Sequence, residues 1–376
     1  MIDNCSAILD EFRTIRKTPE TYLKNIDKPI IGYFETYVPE EIIAAANMHP
    51  LRISPDNAPI TIGNSKIESF ACPVSINFLD QLLSGKLSFL QGVIFSRYCD
   101  SMRGVADIWQ ENRGKSFYHF IPYPTIATSE SINFLSDELE KLTEHISDYF
   151  NTKISEEAIT EAIRISNKKR LAVLKFYDLV KKGELLISSS DFFAIVSLAT
   201  IMDSIEYTEK LERFIDQYEP VSNQNFGSNI KVAVSGIMLE SMQFFETMDK
   251  VGLRMTVDDL MFGSRAFKGL ISKEKAGLYQ AIAKRYLNKV PCSVKGNLDL
   301  RIDELVNDCR ESGTKGVIFY IVTFCDSEEA EYPILKKRLL EKKIPVIAIE
   351  GGYRISSTGQ LLTRLEAFAE QIGERL

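Results

Sequence analysis

The chain has 376 residues, 45% of them hydrophobic and 26% charged, with a net charge of −7. That length exceeds one ordinary core and suits two or three domains, and the acidic balance argues against a general nucleic-acid binder, whose surface is basic. No stretch approaches the roughly 18–20 apolar residues that span a bilayer, and the opening MIDNCSAILDEFRTIRKTPE lacks an apolar core followed by a cleavage site, so a cytoplasmic protein with no membrane partner is expected.

Residues 1–27 read as an amphipathic helix and a linker. KPIIGYFET follows as a buried strand, then EEIIAAANM as a helix opened by Pro39, where a missing N–H is harmless. HPLRI is a second strand and completes a β–α–β opening. The pattern next predicts a short strand to Phe70, a loop at Cys72-Pro73, a helix from about Val74 to Leu83 ending near Gly85, and a buried strand over Gly92–Phe95. Cys99-Asp100 open the loop beyond it, a helix runs through Trp109, and FYHFIPYP is another strand.

Residues 129–225 change character: apolar residues recur every three and four positions, with Ser155 and Ser190 as N-caps. From Asn229 the α/β pattern resumes. IKVAVSGIMLES reads as strand, tight turn and helix start, RIDELVNDCRESG as a helix closed by Gly313, and GVIFYIVTF as a buried strand. YPILKKRLLEKK is a helix, KIPVIAIE a strand and QLLTRLEAFAEQIGERL the last helix. The chain thus divides into an N-terminal helix and linker (1–27), an α/β lobe (28–128), a helical section (129–225) and a second α/β lobe (226–376).

Six cysteines without a CxxC are neither a disulfide framework nor a zinc ribbon in a chain of this size. The three histidines are scattered, and neither GxxxxGK[ST] nor HExxH occurs. One internal echo stands out: GVIF-SRY-Cys99-Asp100 and GVIF-YIVTF-Cys325-Asp326 repeat one local design in different halves. Each places a cysteine beyond the carboxyl end of a buried strand, where open α/β sheets collect ligands. Cys72, in the loop before a helix, supplies a third corner. A lone thiol most often packs as a small hydrophobe, so spacing alone leaves two readings open: inert cysteines, or thiolates for a [4Fe–4S] cluster with one iron left open. Cys292, in KVPCSVKGN, is a further candidate ligand; Cys5 belongs to a surface helix and Cys309 to helix packing.

At these residues the chain resembles the iron–sulfur subunits of the 2-hydroxyacyl-CoA dehydratase family, which includes the benzoyl-CoA reductases (the 2-hydroxyglutaryl-CoA dehydratase D-component type). The resemblance runs through YVPEEIIAAANMHPLRI, FACPVSINFLDQLLSGKLSFLQGVIFSRYCDSMRGVADIW, RYLNKVPC and KGVIFYIVTFCDSEEAEYPILKKRLLEKKIPVIAIE, with SSTGQLLTRLEAF beyond, and is weakest in the helical middle. It implies two Rossmann-like or flavodoxin-like lobes with parallel sheets, joined by the helical section, and a [4Fe–4S] cluster in the cleft between them, held by Cys72, Cys99 and Cys325. It implies a hydro-lyase subunit of an oxygen-sensitive complex, in which an ATP-hydrolysing iron–sulfur activator injects one electron. Water is then eliminated from a 2-hydroxyacyl-CoA thioester through a ketyl radical. The partner would be a homologous second subunit, or a second copy of this chain. The alternatives are a reductase of the same family, of the benzoyl-CoA type or carrying a double-cubane [8Fe–9S] cluster that Cys292 would help to hold, and a non-catalytic two-lobed binding protein. The chain departs from its relatives at Glu350-Gly351-Gly352-Tyr353, where they often carry an acidic residue two places after the glutamate; substrate and subunit role stay open there.

Other residues have a plain and a functional reading. Glu40, with Glu41, either favours a helix N-terminus or brings a proton acceptor to the cleft. Ser235-Gly236 is either an ordinary strand-to-helix turn or an anion site of backbone amides. Gln360 and Arg364 either cap the last helix or touch the ligand. Arg97 and Arg103 flank Cys99 and are solvated or substrate-binding, and Trp109 packs between helix and sheet.

Overall fold

The computed structural model describes residues 4–219, 229–272, 277–355 and 358–373. The chain opens with helices α1 (Asn4–Lys17) and α2 (Pro19–Leu23). The first lobe follows as β1 (Ile30–Tyr33), α3 (Glu40–Ala45), β2 (His49–Arg52), α4 (Pro73–Leu83), β3 (Gly92–Ser96), α5 (Asp100–Asn112) and β4 (Phe117–Ile121). Helices α6 (Ser129–Phe150), α7 (Glu156–Lys182), α8 (Ser189–Leu198) and α9 (Ser204–Asp216) form the middle section. The second lobe is β5 (Ile230–Gly236), α10 (Met242–Lys250), β6 (Leu253–Leu260), α11 (Ser264–Phe267), α12 (Leu278–Asn288), α13 (Leu298–Ser312), β7 (Gly316–Val322), α14 (Asp326–Glu341), β8 (Val346–Gly351) and α15 (Thr358–Gly373).

Each lobe holds a four-stranded parallel sheet, ordered β2-β1-β3-β4 in the first and β6-β5-β7-β8 in the second. In both, the chain steps from an inner strand to one edge and then returns to the other side of that strand. A crevice therefore opens at the carboxyl ends of β1 and β3, and again at those of β5 and β7. Strands β3 and β7 are buried along their whole length, as continuous apolar runs in parallel sheets must be. One apolar core runs through α1, both sheets and the middle helices, and a smaller one fills the α13–α14 side of the second sheet. Among the described residues no helix is long and apolar enough to cross a membrane.

The two-lobed α/β reading and the helical middle agree with this architecture. Ser155 caps α7 as expected, its hydroxyl accepting from the Ala158 amide. Three expectations need correction. The strand to Phe70 does not form: the Asp80 carboxylate accepts the amides of Thr61, Ile62 and Gly63 and holds that stretch in turns. Ser188, not Ser190, caps α8. Strand β6, not among the expected elements, forms with both of its aspartates buried and bonded. Cys5 is buried under α1 rather than on its surface, its thiol 3.8 Å from the Phe214 carbonyl. The expected boundary at 225/226 lies outside the described residues.

Candidate functional site

Three helices present their N-termini to one region, and each is capped by a cysteine: Cys72 for α4, Cys99 for α5 and Cys325 for α14. The local causes differ. Pro73 sets the first turn of α4 without losing a needed N–H, while Cys99 and Cys325 follow the buried strands β3 and β7. All three thiols are free and partly buried. Burial pushes Cys99 and Cys325 up to about 12 and raises Cys72. Opposing it, the amides of Val74 and Ser75 favour the Cys72 thiolate, those of Ser101 and Met102 that of Cys99, and the Glu328 amide with the Ser327 hydroxyl that of Cys325. The thiols of Cys99 and Cys325 both feel the charge of Cys72, so Cys72 stands electrically between the other two.

Cys72, Cys99 and Cys325 are sulfur donors of the kind that iron–sulfur clusters use; among the described residues no three His, Cys, Asp or Glu converge on a single-ion position. Because burial raises all three thiols, binding a metal group there would release their protons, with the helix N-termini favouring the thiolates so formed.

Two buried glutamates flank this group. Glu328 lies at the second lobe's crevice, where its carboxylate accepts the amides of Ile237 (2.5 Å) and Val322 (2.9 Å). Burial raises it to about 7 against those amides and Arg301. Glu35, at the first lobe's crevice, is 2% exposed, and neither of its oxygens has a hydrogen-bond partner among the described residues. Burial lifts it to about 8, opposed by its own amide, by Ser96 and by Lys295. Sequence reading missed both. Glu328, three residues after an N-cap, carried a signal in its spacing; Glu35 carried none beyond its place at a strand end.

The other candidates are placed as follows. Glu40 is tied down by the Lys169 ammonium (2.7 Å) and the Tyr33 hydroxyl, so it is an ion-pair partner and not a free proton acceptor. Ser235 is fully buried, donating to Asp259 (2.7 Å) and accepting from Arg301 (3.2 Å). The expected anion site at Ser235-Gly236 is closed: α10 begins only at Met242, Glu328 takes the Ile237 amide, and Arg265 donates to the Gly236 carbonyl. Gln360 and Arg364 lie exposed on α15, where Arg364 donates to the Ala348 carbonyl. Arg97 and Arg103 are exposed. Cys292 is buried at 3% beside Tyr37, whose hydroxyl accepts its amide. Cys309 packs in the α13–α14 core, and Trp109 packs against the main core with its indole N–H buried and unpartnered among the described residues.

A large cleft, of about 1930 Å³, lies elsewhere, between α1, the first lobe's edge and the start of α10; none of the three cysteines lines it. Its wall mixes basic side chains, among them Lys24, Lys28, Lys86 and Arg354, with acidic ones, and Lys86 pairs with Asp56 and Lys28 with Asp203.

The family described as "2-hydroxyglutaryl-CoA dehydratase, D-component" matches residues 35–372. The chain is 30% identical to the beta subunit of (R)-2-hydroxyglutaryl-CoA dehydratase of Acidaminococcus fermentans, over 98% of this chain and 99% of that protein. It is 24% identical to the (R)-phenyllactyl-CoA dehydratase beta subunit of Clostridium sporogenes over 99% and 100%, and 23% identical to a subunit of the benzoyl-CoA reductase of Thauera aromatica over 99% and 98%. With that coverage and a fold of two parallel α/β lobes, the chain belongs to the 2-hydroxyglutaryl-CoA dehydratase D-component family, the family of 2-hydroxyacyl-CoA dehydratase beta subunits and benzoyl-CoA reductase subunits.

Proposed function

We propose that this chain is the beta-type iron–sulfur subunit of a 2-hydroxyacyl-CoA dehydratase. The observation that carries the reading is the meeting of three cysteine-capped helix N-termini from two lobes, in a chain matched end to end by dehydratase beta subunits. Cys72, Cys99 and Cys325 would hold a [4Fe–4S] cluster, which when bound supplies one-electron transfer and, at the iron without a thiolate, Lewis acidity.

The chain's own residues prepare that position. The helix amides bias the thiols toward thiolate, and Glu328 fixes the ends of β5 and β7 by accepting an amide from each. Phe324, just before Cys325, is half exposed with φ of 61°, a conformation uncommon for an aromatic residue. Basic side chains such as Lys24 and Arg354 on the wall of the large cleft suit the phosphates of a CoA thioester, and a homologous substrate-bearing subunit is the natural partner for a beta-type chain. In this reading a separate ATP-hydrolysing activator delivers the electron, and water leaves the thioester through a ketyl radical. A reductase of the benzoyl-CoA type is the second reading, favoured by the equally complete match to the benzoyl-CoA reductase chain.

The test is iron and acid-labile sulfide per chain in anaerobically reconstituted protein. About four of each is expected, with loss in Cys72→Ser, Cys99→Ser and Cys325→Ser variants. A wild-type chain that takes up neither element refutes the reading.

A further inference from the structure

The two lobes solve the same local problem differently. In each sheet the crevice beside the inner strand ends in a buried glutamate near a helix-capping cysteine. In the second lobe Glu328 closes the crevice, accepting one amide from the end of β5 and one from the end of β7. In the first lobe Glu35 stands two residues beyond β1, and its charge is felt by the Cys99 thiol beyond β3. Among the described residues nothing donates to it. The nearest ammonium, on Lys295, is spent on the Arg97 carbonyl at 2.7 Å and lies over the Tyr123 ring. The Ser96 hydroxyl, close to it, is buried as well. A buried carboxylate with no donor is costly, and native proteins retain one where something else completes it. A buried carboxyl left open at one strand edge, close to the Cys99 thiol, marks a place that a further group can complete.

Resting on the cluster reading above, we infer that Glu35 is the fourth protein ligand of the cluster, its carboxylate bonding the iron that Cys72, Cys99 and Cys325 leave free. Carboxylate oxygen is a hard donor that an iron with three sulfide neighbours accepts, and ligation displaces one water from that iron. The consequence is a closed cluster: with its open position filled from within the chain, this subunit would carry electrons and leave substrate coordination to its partner. Cys292 is the rival ligand, but it sits against Tyr37 and Tyr98, and the thiols of Cys72, Cys99 and Cys325 do not feel its charge among their leading neighbours.

The experiment compares wild type with Glu35→Gln and Glu35→Ala, each loaded anaerobically and reduced. Electron paramagnetic resonance in water enriched in oxygen-17 reports whether solvent occupies the fourth iron. No broadening is expected for wild type and clear broadening for Glu35→Ala. Mild oxidation should convert the variants to a three-iron cluster at least ~10-fold faster, the range found when groups supporting a metal site are removed. A broadened wild-type spectrum overturns the inference, as do variants matching wild type in both readouts. Variants that keep wild-type circular dichroism yet hold three irons or fewer support it; should they misfold, the wild-type spectrum decides alone. A wild type without iron and sulfide sinks the cluster reading, and this inference with it, whereas a loaded wild type with a water-bound iron sinks this inference only.

Discussion

Replacing Glu41 by glutamine should strip the molecule of its main buried ionic tie. Glu41, on α3, is fully buried and accepts from Ser166 (2.7 Å) and Arg170 on α7 and from Tyr286 (2.9 Å) on α12, so one carboxylate joins the first lobe, the middle section and the second lobe. Burial opposes its charge, but Arg170, Arg285 and Ser166 outweigh that and hold it at about 2. A carboxyl held at about 2 instead of 4.5 prefers its ionised form by about 3 kcal/mol. The Gln variant also leaves the Arg170 guanidinium buried without its counter-charge, and breaking such pairs costs about 3–5 kcal/mol. The two routes agree on a loss of about 3 kcal/mol at pH 7. Urea unfolding of the metal-free protein would be followed by circular dichroism and by the fluorescence of the single tryptophan, Trp109; coincident transitions license one free energy. Because the folded value is depressed, the contribution is present above pH 4.5 and is lost as pH falls toward 2, so the gap between wild type and variant should narrow over that window. A loss below about 1 kcal/mol at pH 7, or a gap that stays constant into acid, refutes the reasoning.

Further outcomes follow from other sites. Glu328, raised by burial to about 7, lets the native state bind more protons than the unfolded chain between about pH 4.5 and 7; the stability of the metal-free protein from this group therefore falls as pH rises across that window, and Glu328→Gln should remove that part of the slope in melting temperature against pH. Gly236→Ala puts a Cβ 2.6 Å from the Tyr320 carbonyl oxygen, a clash with backbone that should cost about 1–3 kcal/mol in thermal or urea unfolding. Lys86→Glu with Arg354→Glu, on the wall of the large cleft, should weaken binding of a CoA thioester in calorimetry while leaving iron content unchanged; unaltered affinity would remove the cleft from consideration.

The sequence displayed the cysteines well because their setting is written locally. A β-branched apolar run after glycine can only be a buried strand, and Cys-Asp a few residues later falls on the sheet edge where a helix starts. What it concealed depends on partners far along the chain. Asp258 and Asp259 give LRMTVDDL the look of surface, yet Tyr177, Ser264 and Arg301 satisfy them in the interior. Ser235-Gly236 has the outline of an anion site, but the anion is Glu328, more than ninety residues downstream. The solitude of Glu35 is invisible in sequence, because the absence of a donor is a property of every neighbour at once.

Two of the three helix-capping cysteines belong to the first lobe and the third to the second, with more than half the chain running between Cys99 and Cys325. A group bonded to all three would be a cross-link as well as a redox centre, fastening the lobes across a very long loop. Closing a loop of that size is worth about 5 kcal/mol by the chain-entropy treatment of cross-links. Destruction of such a centre by oxygen would then cost stability as well as electron transfer, leaving the lobes held by their shared apolar core and by ties such as that of Glu41.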